Sequence, residues 1–76
     1  MVKKLDGTKN GFYIDGQHSN LLHIIDVFKK ERKIRCVICN AKTAKEVGKD
    51  FRFFAKANVS VNNKLDDNVF YFNGVF

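Results

Sequence analysis

The chain reads as a small α/β domain, with an α+β arrangement as the alternative: two helices on a sheet of about four strands, in the order β-α-β-α-β-β. Three observations predict this. Short strand-like runs stand at Phe12-Tyr13-Ile14, Ile34 to Cys39 and Val69 to Phe72, two stretches of helical periodicity lie between them, and turn residues mark most junctions. With 76 residues the chain makes one domain, 1–76. A chain of this size buries only about 60 to 65% of its unfolded surface, so its core must be compact, and its eight phenylalanines suit that need.

The turn signals Asp6-Gly7 and Asn10-Gly11 separate Val2-Lys3-Lys4-Leu5 from Phe12-Tyr13-Ile14, which predicts a hairpin or a loose loop into the first firm strand. A polar loop, Asp15 to Ser19, follows. From Asn20 to about Arg32, Leu21, Ile24, Ile25 and Phe28 recur at helical spacing, with His23, Lys30 and Lys33 on the outer side. Ile34 to Cys39 is short, rich in β-branched residues and bounded by Asn40, a strand expected to be buried on both faces.

Thr43-Ala44-Lys45-Glu46 spells a capping box for a second helix running to about Ala57, whose apolar set is Ala44, Val47, Phe51, Phe54 and Ala55. Gly48 weakens that helix by roughly 1 kcal/mol relative to alanine. After Asn58, Val59-Ser60-Val61 alternates as a strand, Asn62 to Asn68 is a polar loop, and Val69 to Phe72 is a final strand closed by Asn73-Gly74. An exposed edge at Val59–Val61 or Val69–Phe72 would permit a homodimer by sheet extension.

Charge is unevenly placed. The formal total is +6, but Lys29 to Lys56 holds ten Lys/Arg against Glu31, Glu46 and Asp50, so the rest of the chain is close to neutral. Such a basic middle predicts one positive surface facing an anionic partner. Within it, Lys42, Lys45, Lys49, Arg52 and Lys56 are spaced by three or four residues and form one stripe on the second helix, with Phe53 beside it. Cations flanking an aromatic ring suit nucleic acid, where phosphates are held while a base stacks, or an acidic protein surface. The Lys29-Lys30-Glu31-Arg32-Lys33 cluster also suits the negative end of the first helix.

Cys36 and Cys39 have CxxC spacing, yet residues three apart on a strand point to opposite faces, so they are expected as two buried apolar residues and no metal site is expected. Asp66 and Asp67 are expected in a solvated turn. With no signal-peptide pattern and no apolar stretch of membrane length, a cytoplasmic protein without a membrane partner is expected. The richness in Lys, Asn, Phe and Ile fits an AT-rich genome, as many phages and low-GC bacteria have.

Asp15-Gly16-Gln17-His18, placed between a strand and a helix, resembles the Asp-Gly-Gln-His-Arg signature of the ParB/sulfiredoxin-like superfamily, with Ser19 where that signature has arginine. The similarity in element order extends from Phe12 to about Asn62. It implies a nucleotide or phosphate site, taking CTP, ATP or ADP with magnesium: Gly16 would allow close approach, the amides of Gln17, His18 and Ser19 would face phosphate, His18 would donate to it, and Asp15 would fix the turn. A missing arginine would cost about 1.5 to 3 kcal/mol of phosphate affinity. The family's upstream pocket segment has no counterpart here either, so the resemblance implies a truncated and non-catalytic member, with His18 as the one candidate for nucleotide hydrolysis or nuclease chemistry. The rival expectation is a phage-type interaction or inhibitor protein that docks its basic helix on an acidic host protein.

Overall fold

The computed structural model describes residues 1–74. Its elements are β1 (Val2–Lys4), β2 (Gly11–Ile14), α1 (Leu21–Glu31), β3 (Cys36–Cys39), α2 (Ala41–Phe54), β4 (Asn58–Val61) and β5 (Val69–Phe72). The expected order is present with one strand more, because the opening hairpin forms: Val2 pairs with Ile14 and Lys4 with Phe12. The sheet runs β1-β2-β5-β3-β4 and is mixed, since β3 and β4, joined through α2, are parallel while every other pairing is antiparallel. Two helices on a five-stranded mixed sheet make this a small α+β fold.

The core explains the layering. Phe70 and Phe72 are two residues apart on β5 and therefore share a sheet face. Phe28 of α1 packs on Phe72 at 4.7 Å between ring centroids, and Phe51 of α2 packs on Phe70 at 4.9 Å. Both helices thus lie on one side, over Phe12, Ile14, Val37 and Cys39. No helix covers the other side, which carries Tyr13, Ile38, Val69 and Tyr71. There Tyr71 lies across Gly11: a Cβ at Gly11 would stand 2.7 Å from the Tyr71 ring and 2.7 Å from Thr8 Oγ1, so only glycine fits.

Several local expectations are corrected. β3 begins at Cys36 instead of Ile34 and is buried on one face only: Val37 and Cys39 are enclosed, Cys36 and Ile38 half-buried. Cys36 is accordingly not the buried core residue that the sequence suggests. β5 is no edge strand; it lies between β2 and β3 and pairs with both.

α2 starts two residues before the proposed capping box, because Asn40 is the cap. Its Oδ1 accepts from the Thr43 amide at 2.8 Å, and its Nδ2 donates to the Leu65 carbonyl and to Asp67. Thr43 is buried inside the first turn, and its hydroxyl accepts from the Asn68 amide. The helix stops at Phe54, short of Ala57, because Lys56 turns left-handed at φ +52° and the Phe51 carbonyl takes the amides of both Ala55 and Ala57. Phe54 is consequently not a core residue; it is 38% exposed.

Asparagines fasten the loops to the sheet. Asn10 is buried and donates to the carbonyls of Phe72 and Gly74. Asn73 accepts from the Arg35 amide and donates to the Lys33 carbonyl, which closes β5 against the entry to β3. Among the described residues, no helix is long and apolar enough to cross a membrane.

Candidate functional site

Each helix starts at one end of the sheet and finishes at the other. The starts of α1 and α2 gather with the loops 15–20 and 62–68, whereas their ends gather with the loop 5–10 and the entry to β3. These two ends are chemically different, and they hold different parts of the predicted site.

The Asp15–Ser19 loop is at the first end. Gly16 has φ +73°, a conformation that glycine adopts without strain, and swings the chain from β2 toward α1. The Asp15 amide donates to the Met1 carbonyl at 2.7 Å, and the Met1 amine donates back to the Asp15 carbonyl. The Asp15 carboxylate does not accept from the turn's own backbone as expected; it reaches Lys3 Nζ at 3.4 Å. The amides of Gln17, His18 and Ser19 donate to no other group among the described residues, so they are free for an anion.

Asn20 stands at the start of α1 but does not cap it with its side chain. That side chain instead grips Val2, accepting from its amide at 2.7 Å and donating to its carbonyl at 3.0 Å. The first turn of α1 therefore keeps an open, uncapped start without an acidic residue. The start of α2 is the opposite case: Asn40 takes the Thr43 amide, and Asn63 takes the Ala41 amide at 2.9 Å.

His18 is half-exposed with Nε2 3.9 Å from Asp50 Oδ2, too long for a hydrogen bond but close enough for attraction when the ring is protonated. Sequence reasoning missed Asp50 as a neighbour because it lies on α2, far along the chain. His18 and Ser19 also line a shallow hollow of about 200 Å³ with Leu21, Leu22, Asp50 and Phe54. Leu22, at 44% exposure, and Phe54 join this hollow to Phe53, which is 74% exposed and meets Phe54 edge-to-face at 4.9 Å. Phe53 is thus presented to solvent at the border of the basic stripe.

Lys42, Lys45, Lys49 and Arg52 are exposed on the side of α2 away from Val47 and Phe51, whereas Lys56, expected as the last member of that stripe, is exposed but lies beyond the helix, where the backbone has turned left-handed. Lys42 alone among them pairs with a carboxylate of the described residues, Asp67 at 3.4 Å. Asp67 is not a merely solvated turn residue: the hydrogen bond from Asn40 Nδ2, and then the Lys42 ammonium, hold its carboxyl below the ordinary value. Burial acts the other way on Cys39 and pushes its thiol up.

Where the helices finish, cations of α1 come near the end of α2. Arg32 lines one hollow with Lys33, Arg35, Cys36 and Asn73, and another with Lys9 and Asn10. Lys29 Nζ reaches the Phe54 carbonyl at the end of α2, next to Lys56. The fold therefore brings the last turn of α1 to the end of α2, and with it two basic clusters that are separate in sequence. No group of three or more His, Cys, Asp or Glu that would hold a metal ion occurs among the described residues.

Comparison with protein-family models, with curated proteins and with solved structures finds no match to this chain.

Proposed function

We propose that this protein binds nucleic acid through the outer face of α2 and the adjoining cationic end, without catalysing a reaction. The carrying observation is the row of exposed cations Lys45, Lys49 and Arg52 on α2 with Lys56 just beyond it, none of which pairs with a carboxylate among the described residues, and Phe53 standing exposed beside them. Phosphates would lie along Lys45, Lys49, Arg52 and Lys56, and an unpaired base would stack on Phe53. The free amides of Gln17, His18 and Ser19 offer a further phosphate contact, the role the ParB/sulfiredoxin-like resemblance gives them, and a nucleotide such as CTP, ATP or ADP with magnesium is the small-molecule form of that contact.

The test is fluorescence anisotropy with single-stranded and duplex oligonucleotides over a salt series. Wild-type affinity is expected to fall steeply with salt, and Lys45→Ala/Lys49→Ala/Arg52→Ala is expected to flatten the log–log slope by about 2 to 3. A control that removes equal charge elsewhere, Lys3→Ala/Lys4→Ala/Lys64→Ala, separates a specific face from overall charge. Equal losses in the two variants would overturn the proposal.

One observation favours a second reading, an acidic protein partner: Leu22, Phe53 and Phe54 form an exposed apolar patch against the cations, as protein interfaces use. A stoichiometric protein complex lost in the stripe variant, without oligonucleotide binding by the wild type, is the result that reading requires.

A further inference from the structure

The two edges of the sheet are built differently. β1 has only three residues, carries Lys3 and Lys4, and is fastened through Met1 and Val2 to Asp15 and Asn20. Short, charged edges of this kind resist pairing with another strand. β4 has none of these protections. Asn58-Val59-Ser60-Val61 is free of charge, proline and glycine, and Val61 is 54% exposed.

The backbone of β4 is also presented for pairing. The amides of Asn58 and Asn62 donate inward to the carbonyls of Arg35 and Cys39, at 3.2 and 2.9 Å. In a parallel ladder alternate residues face the same neighbour, so Ser60 also faces β3, while Val59 and Val61 turn their N–H and C=O groups outward.

We infer that the protein forms a symmetric homodimer by antiparallel pairing of β4 with β4 of a second copy, about a two-fold axis at Ser60. Val59 then exchanges two hydrogen bonds with the partner's Val61, and Val61 two with the partner's Val59. The segment is complementary to itself. Val59 and Val61 share the helix-bearing face, so the exposed Val61 gains an apolar neighbour, Ser60 meets its own copy on the open face, and no like charges oppose one another within the pair. Pairing β1 with its copy would instead set Lys3 and Lys4 against lysines. The resulting ten-stranded sheet carries both α2 helices on one side.

Sedimentation velocity from about 10 µM to about 1 mM spans the affinity of a weak, small-interface dimer. The wild type is expected to move from monomer to dimer across that range. Val61→Pro removes an outward N–H that makes no bond within the monomer, so it is expected to fold as the wild type does by circular dichroism and to stay monomeric. In a Cys36→Ala background, Ser60→Cys is expected to form an interchain disulfide on mild oxidation at least about tenfold faster than Lys64→Cys, since directly opposed residues of such a pair lie within disulfide reach. A wild type that stays monomeric throughout overturns the inference and leaves the edge to an extended segment of another protein. A Val61→Pro dimer, or equal cross-linking of the two cysteine variants, overturns it as well.

Discussion

The end of the molecule where the helices begin and the end where they finish use charge in opposite ways. Every ion pair found among the described residues involves the first end: Lys3 with Asp15, Lys42 with Asp67, and His18 with Asp50. At the other end Lys9, Lys29, Lys30, Arg32, Lys33, Arg35 and Lys56 surround little besides Asp6 and Glu31, and none of them pairs with a carboxylate of the described residues. One end satisfies its own electrostatics. The other repels itself, which its helix C-termini offset only by about 0.3 to 1 kcal/mol per cation, and it gains most from an anion supplied from outside.

The largest way to break this contrast is to empty the unpaired end. Arg32→Ser/Lys33→Ser/Arg35→Ser is expected to weaken oligonucleotide binding about 10- to 1000-fold at low salt while leaving the circular dichroism spectrum unchanged. Lys3→Ser/Lys42→Ser, at the paired end, is expected to change binding by less than about threefold, because these ammonium groups are already engaged. Comparable losses from the two variants in the same titration would erase the distinction.

Stability should respond in the reverse sense. Asn40→Ala removes the α2 cap together with the bonds to Leu65 and Asp67, and is expected to cost about 1 to 3 kcal/mol in urea unfolding. At the far end the backbone has room for improvement. Lys56→Gly relieves a left-handed residue and is expected to stabilise by about 1 kcal/mol. Gly48→Ala is expected to add about 0.5 to 1 kcal/mol, since its new Cβ would meet only the movable Arg52 guanidinium, at 3.4 Å.

The smallest effect concerns pH. The folded state holds the Asp67 carboxyl below its ordinary value of 3.8, so its contribution is present above that value and disappears as pH falls through the lower, folded-state pKa. Asp67→Asn should therefore narrow the difference between urea midpoints measured at about pH 7 and about pH 3.

What the sequence disclosed follows from the range of the forces involved. Helical spacing places Leu21, Ile25 and Phe28 on one face of α1, and the three-and-four spacing of Lys42 to Arg52 places those cations on one face of α2, because both depend on the geometry of one element; Lys56 falls outside that rule, since α2 ends at Phe54. The sequence alone points to Thr43 as the cap of α2, whereas the cap is Asn40, three residues earlier. Thr43 and Glu46 fit a capping box equally well locally, and what selects Asn40 is its grip on Leu65 and Asp67 across the fold. The nearness of Asp50 to His18, and the reach of Lys29 to the end of α2, depend in the same way on how α1 and α2 are laid side by side. The apolar run Val69-Phe70-Tyr71-Phe72 announced a strand, but its place between β2 and β3 is a property of sheet order, which no short window contains.

That place has a consequence for synthesis. The β1–β2 hairpin and the β3–β4 pair touch within the sheet only through β5, so a nascent chain has two unconnected β pieces until residues 69–72 have left the ribosome. Until then Phe12, Phe28 and Phe51 have no Phe70 or Phe72 to pack on. Folding is therefore expected to wait for translation to pass β5 and then to proceed in one step, and chains arrested before residue 69 should be cut readily by protease.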